Sequence, residues 1–203
     1  MTISKGADWG ETVDRPDDLR IATDDRDLAQ LLSDGTGRPT AVAAGDIHRT
    51  VGARSTDGRE QVLALPLDLV RVTLDDSEAF TVVAHVLARS PWTRGGWWMG
   101  EALAVMNAEF VSDFDVAPRG HPNDGRVETL HVTSDLGIRQ RWEVRRRLPG
   151  ARHLPHPGIA TRPVRDATWD FDVARTVVAD GRTVGSARRL RVEVVADAAV
   201  LYA

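Results

Sequence analysis

The segment FDVAPRGHPNDGRVETLHV, residues 114–132, is the stretch of this chain that says most about its fold. Both of its ends are rich in residues that favour strands, and its middle holds two prolines followed by Asn123, Asp124 and Gly125. Asn and Asp tolerate left-handed backbone angles, and Gly adopts them without steric cost. The segment therefore predicts two strands joined by a proline-bounded loop and a tight turn.

Further strands are predicted on both sides of this segment, from short runs rich in valine and leucine. These runs cover residues 61–74, 80–88, 127–133, 170–178, 190–195 and 199–202. Residues 101–110 suit a helix or a buried strand, and their place before the turn favours a strand. Asp180-Gly181 between two such runs is a strong hairpin signal. Residues 139–148 predict a helix, and the remainder predicts an antiparallel β-sandwich over residues 56–203.

The N-terminal quarter has a different pattern. Residues 1–18 are polar and predict a flexible arm pinned by Trp9. A short strand, a helix that begins at Asp24-Asp25, a second strand and a helix opened by Gly45-Asp46 follow. We therefore expect an α+β fold, mostly β, in which a small reduced α/β segment over residues 19–55 precedes the sandwich.

The composition of the chain argues against several classes of function. The formal net charge of -4 argues against a general nucleic-acid binder. The absence of cysteine excludes disulfides, thiolate nucleophiles and Cys-ligated zinc. The sequence has no apolar run long enough to span a bilayer and no signal-peptide pattern, which predicts a cytoplasmic protein without a transmembrane segment.

Several motifs, in the same order along the chain, resemble those of the diacylglycerol kinase family of lipid kinases. The opening segment resembles the family's V-A-P-x-A-x-x-(N/D)-D-G-x-L-(D/E)-V hairpin, and LPGARHLPHPGI (148–159) resembles its G-(R/K)-H-x-x-H-P-x-V segment. VVADGR (177–182) resembles the final DGE hairpin, and AGDIHRTVG (44–52) the end of the GTxNDFARTLG motif. TDDRDL (23–28) stands where the family has GGDGTL. The resemblance covers roughly residues 20–203 and implies the fold of the family's C-terminal domain.

The departures from these motifs weaken the implied kinase site. In the family, glycine-rich loops let backbone N–H groups approach the nucleotide phosphates. Here the first loop, residues 23–27, has no glycine and three aspartates. Asp25, Gly45 and Asp46 stand as the remnant of the nucleotide-binding loops, and N-terminal helix capping is the alternative role for both aspartates. ATP as a cofactor is therefore doubtful.

Two further sites follow from the resemblance. Asp180 stands where the family has its general base, and the following Glu is replaced by Arg182; a plain Asp-Gly hairpin turn is the alternative. At the Asn-Asp-Gly turn the resemblance implies a structural Mg²⁺ or Ca²⁺ on the Asp124 carboxylate, with the backbone carbonyls of His121 and Arg126. There the alternative is a turn in which Asp124 bonds only its own backbone.

The cluster WTRGGWWMG, residues 92–100, is the most unusual local composition of the chain. Trp92, Trp97 and Trp98 predict a ligand pocket or a partner interface, and packing over the sandwich core is the alternative. The run Arg145-Arg146-Arg147 suits anionic lipid headgroups or a solvated helix face.

The functional hypothesis is a catalytically degenerate diacylglycerol-kinase-like protein that binds a lipid or another small apolar ligand, or serves in assembly, for instance as a homodimer that buries the tryptophan loop. The alternative is an active ATP-dependent lipid kinase whose phosphate site is rebuilt or supplied by a partner.

Overall fold

Residues 9–203 are described by the computed structural model of this protein. Their strands are β1 (Glu11–Asp14), β2 (Arg20–Ala22), β3 (Thr40–Val42), β4 (Gln61–Leu74), β5 (Phe80–Val82), β6 (His85–Arg89), β7 (Ala102–Met106), β8 (Phe110–Val111), β9 (Phe114–Asp115), β10 (Val127–Val132), β11 (Ile159–Val164), β12 (Asp166–Ala179) and β13 (Arg182–Tyr202). Their α-helices are α1 (Asp25–Ser33), α2 (Asp46–Thr50) and α3 (Ile138–Arg147). The fold is α+β and mostly β, as the sequence predicts.

One large sheet contains eleven of these strands, and its main path runs β1-β4-β13-β12-β6-β7-β10-β11 with antiparallel neighbours. The long strands β12 and β13 contain register shifts, which bend a sheet and increase its twist. Side chains from eight of its eleven strands meet in one cluster that includes Val72, Val105, Phe171 and Leu190. The sheet therefore folds over its own apolar face, as a sandwich does.

The small α/β segment is built onto this sheet. β2 and β3 pair in parallel, and β3 pairs in parallel with the end of β13, where Leu201 lies opposite Thr40. Leu28 of α1 and Ile47 of α2 share a fully buried cluster with Leu67 of β4. Residues 20–50 thus pack against the sandwich and hold the N-termini of α1 and α2 beside it.

Some local predictions need correction. The flexible arm predicted for residues 1–18 is wrong over Glu11–Asp14, because these residues form β1 and pair with β4; residues 1–8 lie outside the described part of the chain. Trp9 does anchor this end, since its Nε1 donates to the Pro66 carbonyl oxygen at 3.2 Å. Residues 80–88 form two strands instead of one, and residues 190–202 belong to the single strand β13. β11 was not predicted, because four of its six residues are exposed and its pairing with β10 joins distant parts of the chain.

Among the described residues, none of the helices combines the length and the apolar character that crossing a bilayer requires.

Candidate functional site

Asp180 lies at the tip of the β12–β13 hairpin, where it and Gly181 have positive φ angles, as the turn signal predicts. Its carboxylate turns inward. Oδ2 accepts the N–H of Val83 at 3.0 Å, and Oδ1 accepts those of Ala84 at 2.9 Å and His85 at 3.1 Å. The side chain therefore binds the link between β5 and β6 together with the first residue of β6.

Burial raises the pKa of Asp180 to about 7, although the three amide hydrogen bonds lower it. The nearby charge of Asp25 adds to the increase. A carboxyl group that titrates near neutral pH has the proton affinity of a general base. Both of its oxygens are already engaged by backbone amides, which is the arrangement of a structural carboxylate.

Asp25, Gly45 and Asp46, the predicted remnant of the nucleotide loops, are brought together by the structure. The Asp25 carboxylate accepts the N–H groups of Asp46 at 2.6 Å and Ile47 at 3.1 Å, so it covers the N-terminus of α2. Gly45 has φ +121°, and a Cβ there would lie 2.4 Å from Asp25 Oδ1. Glycine is therefore required for the contact, and burial raises the pKa of Asp25 to about 6.

The Asp46 carboxylate contacts Ser112 and His85. Its Oδ1 accepts the N–H of Ser112 at 2.7 Å, and its Oδ2 lies 3.3 Å from Nδ1 of His85. Burial raises the pKa of Asp46 and lowers that of His85 to about 4, so the imidazole is neutral at pH 7. The sequence did not identify His85, whose position within an apolar strand pattern hides it.

A cleft of about 960 Å³ lies beside these carboxylates, between α1, the β4–β5 connection and the β12–β13 hairpin. Asp180 lines it together with Arg26 and Arg71. The cleft thus combines two cations with the candidate base and two further acids, Asp75 and Asp76, while Asp25 occupies the amides of α2. The two N–H groups at the start of α2 are therefore hydrogen-bonded to the Asp25 carboxylate and are not free for another acceptor.

The Asn-Asp-Gly turn is held by Asp68, a residue that no motif of the sequence indicated. Asp68 is fully buried on β4, and its Oδ2 accepts the N–H of Gly125 at 2.6 Å. Its Oδ1 accepts the side-chain amide of Asn123 at 3.2 Å and the N–H of Asp197 at 2.8 Å. Three donors compensate the buried charge, although burial still raises the pKa of Asp68. The only sequence signal was a single acid within a valine- and leucine-rich strand.

Asp124, the predicted metal ligand, has a simpler arrangement. Its Oδ1 accepts the N–H of Arg126 at 3.0 Å, which closes the local turn. His121 uses Nδ1 to accept the N–H of Asn123 at 3.2 Å and packs edge-on against Trp9. In the described part of the chain, no three acidic or histidine side chains converge as a metal cluster. The metal site remains a prediction that would depend on one carboxylate and backbone carbonyls.

Residues 91–100, which we call the Trp loop, form two consecutive 3₁₀ turns, Trp92–Arg94 and Gly96–Trp98. Gly96 has φ +56°, and a Cβ there would lie 2.3 Å from the Trp92 ring, so glycine lets this ring fold back. The guanidinium of Arg89 stacks 4.3 Å from the Trp92 ring and 5.9 Å from the Trp97 ring.

Under this loop lies an apolar pocket of about 320 Å³, which we call the Trp pocket. All three predicted tryptophans line it, together with the sheet residues Leu87, Ala104 and Leu130 and the helix residues Val144 and Arg145. Its size and apolar walls are typical of small-molecule sites.

Arg141 holds the cover of the Trp pocket in place. Its buried guanidinium donates to the carbonyl oxygens of Leu136 at 2.7 Å and Trp97 at 2.9 Å. The guanidinium also donates to the carbonyl oxygens of Thr133 at 2.9 Å and of Gly100. These bonds join α3, the Trp loop and the end of β10, so the pocket is formed before any ligand enters.

Comparison with known proteins shows a similarity in the fold. No family model and no curated protein matches the chain. A solved structure of a diacylglycerol kinase from Bacillus anthracis str. Sterne matches with a TM-score of 0.63 and 12% identity, over 91% of this chain and 77% of that one. Two further structures described as a diacylglycerol kinase of the same strain match with TM-scores of 0.64 and 0.65, at 13% and 12% identity and with the same coverage. The predicted resemblance is confirmed at the level of the fold: this chain has the fold of a diacylglycerol kinase.

Proposed function

We propose that this protein is a diacylglycerol-kinase-like protein that has lost phosphoryl transfer and binds a lipid or another small apolar molecule in the Trp pocket. The observation that carries the proposal is the pocket itself. Its walls are almost entirely apolar, three tryptophans line it, and Arg141 fixes its cover. Enclosed apolar surface of this kind gains free energy when an apolar ligand displaces water.

Loss of phosphoryl transfer is supported by the hydrogen bonds of Asp25 and Asp180. Phosphoryl transfer needs a phosphate cradle, a metal and a positioned base together. Here Asp25 is bonded to the α2 amides, and its negative charge opposes a triphosphate at that position. Asp180, the candidate base, is bonded to three backbone amides.

Ligand binding is tested by filling the pocket. Ala104 lines it, and we expect Ala104→Phe to abolish binding of a medium-chain diacylglycerol followed by tryptophan fluorescence. Ala160→Phe, at an exposed position of β11 outside the pocket, is the matched control and should bind as the wild type does. Equal binding by wild type and Ala104→Phe would refute the pocket as the site.

Loss of nucleotide binding is tested by calorimetric titration of the wild-type protein with ATP and Mg²⁺. We expect no saturable heat, because the α2 amides are occupied by Asp25. Saturable binding would contradict this part of the proposal and would leave the Trp pocket to be tested separately.

An active lipid kinase is the second candidate, and the large cleft favours it. Arg26 and Arg71 line this cleft beside Asp180, whose pKa of about 7 suits a general base. A phosphate site rebuilt around these arginines, or completed by a partner, would place a lipid hydroxyl near Asp180. Radiolabelled phosphate transfer to diacylglycerol by the wild type, abolished in Asp180→Asn, would establish this function.

A structural Mg²⁺ or Ca²⁺ at Asp124 and a homodimer also remain proposals. The ion would use the Asp124 carboxylate with the carbonyls of His121 and Arg126, which suits hard cations. A dimer that buries the Trp loop would be recognised as a doubled mass in sedimentation equilibrium.

A further inference from the structure

Four large apolar side chains project into solvent from one face of the molecule. Trp92 and Met99 of the Trp loop are 64% and 54% exposed, and Ile138 and Trp142 of α3 are 58% and 50% exposed. The two groups are contiguous, because Trp98 lines a shallow depression together with Ile138 and Trp142. An exposed apolar patch of this kind marks an interaction site.

The helix that carries Ile138 and Trp142 is strongly cationic, although the whole chain has a net charge of -4. Helix α3 contains five arginines and one acidic residue, Glu143. Arg141 is buried against backbone carbonyls, and the other four arginines are exposed: Arg139, Arg145, Arg146 and Arg147. None of these four takes part in the ion pairs found among residues 9–203.

Cations and aromatic rings are combined on this surface. The guanidinium of Arg146 lies 4.6 Å from the Trp142 ring, and that of Arg145 lies 4.9 Å from the Phe114 ring. Tryptophan favours the headgroup level of a bilayer, and arginine can bury its stem there while its charge reaches the phosphates. An exposed arginine-rich helix with apolar residues beside it is typical of proteins that lie on a membrane surface.

We infer that this face docks on the surface of an anionic lipid bilayer. We call it the docking face, and it consists of Trp92, Met99, Ile138, Trp142, Arg139, Arg145, Arg146 and Arg147. Charge complementarity identifies the occupant. This acidic protein carries, beside exposed tryptophans, four arginines that form no ion pair within residues 9–203, and an anionic headgroup layer matches both features.

The position of the Trp pocket agrees with this occupant. Trp92, Trp98 and Arg145 line the pocket, and Trp92 and Arg145 also belong to the docking face. A docked bilayer would therefore lie over the cover of the pocket. The inference goes beyond ligand binding, since the face would hold a bilayer whether or not the pocket takes a molecule from it.

The test is co-sedimentation of the full chain with phosphatidylcholine vesicles, prepared with and without phosphatidylserine. We expect binding only to the vesicles that contain phosphatidylserine, and we expect it to weaken as salt is raised. The triple variant Arg139→Gln/Arg146→Gln/Arg147→Gln should lose binding by about fivefold per arginine removed.

Matched variants separate this face from general effects of charge and hydrophobicity. Arg188→Gln/Arg189→Gln/Arg191→Gln on β13 changes the net charge equally and should bind as the wild type does. Ile138→Ser/Trp142→Ala should also weaken binding more than tenfold, whereas the exposed control pair in the sheet, Ile21→Ser/Val200→Ser, should not.

Three outcomes would overturn the inference. One is the absence of binding to phosphatidylserine vesicles, and another is equal loss in the α3 and β13 arginine variants. The third is a stable dimer in sedimentation equilibrium that disperses on Trp142→Ala, because the face would then be covered by a second copy. Ala104→Phe should dock normally, so failure of the pocket and failure of the docking face are distinguishable.

Discussion

Replacement of Asp180 by alanine should destabilise the protein strongly, whether or not the residue takes part in catalysis. The substitution leaves the N–H groups of Val83, Ala84 and His85 without their acceptor in a buried environment. An unpaired buried amide costs about 1–3 kcal/mol, so three of them cost roughly 3 kcal/mol at the low end of this range. For a chain of this size that corresponds to about 6–12 °C in melting temperature.

Thermal unfolding at pH 5 is the suitable assay, because the pKa of about 7 keeps Asp180 protonated in the folded state there. Asp180→Asn retains an oxygen for two of the three amides and should lose only about 1 kcal/mol. Asp170→Ala removes a partner of the exposed Arg189 at 2.7 Å and should change stability by less than about 0.5 kcal/mol. An Asp180→Ala protein that unfolds within about 1 kcal/mol of the wild type would refute the reasoning.

The same carboxyl group predicts a pH dependence. Its folded-state pKa of about 7 lies above the ordinary value of 3.8, so the folded protein binds the proton more tightly than the unfolded chain. Its contribution to stability is therefore greatest at low pH and is lost as pH rises from about 4 to about 7. Relative to Asp180→Asn, the wild type should lose stability across this window and then change no further; a constant difference would contradict the assignment.

Three further changes test other parts of the site. Arg141→Ala should lower the free energy of unfolding by about 3 kcal/mol in urea denaturation, because it removes the donors from four carbonyl oxygens and frees the Trp loop. Unchanged stability would contradict that role of Arg141. Gly45→Ala should lower the free energy of unfolding by about 2 kcal/mol or more, since the new Cβ would meet Asp25. Gly52→Ala should lower it by only about 1 kcal/mol, because no atom lies within reach of a Cβ at that position. Equal losses would show that the contact with Asp25 is unimportant. Mg²⁺ or Ca²⁺ should raise the melting temperature of the wild type and not of Asp124→Ala, if the turn binds an ion as proposed, and an equal response of both proteins would exclude that site.

The sequence alone was sufficient to predict the helix caps, turns and helices that depend on neighbouring residues. Asp24 caps α1 by accepting the N–H of Asp27 at 2.9 Å, as its position before an apolar helix predicts. Asp180-Gly181 forms the hairpin turn that the pair favours, and residues 139–148 form a helix close to the predicted bounds. Each of these depends on interactions within a few residues.

Only the tertiary structure decided which side chains meet across the chain. Asp68 is 57 residues from Gly125, and Asp180 is 97 residues from Val83, so no local pattern shows that they are bonded. Asp25 is 21 residues from Asp46, and only the parallel pairing of β2 with β3 places it over the α2 amides. The sequence determined that residues 23–27 contain three aspartates and no glycine, and the folded sheet determined that Asp25 is bonded to the backbone amides of α2. The physical reason is that a buried carboxylate needs several donors, and here these donors come from parts of the chain that only the fold brings together.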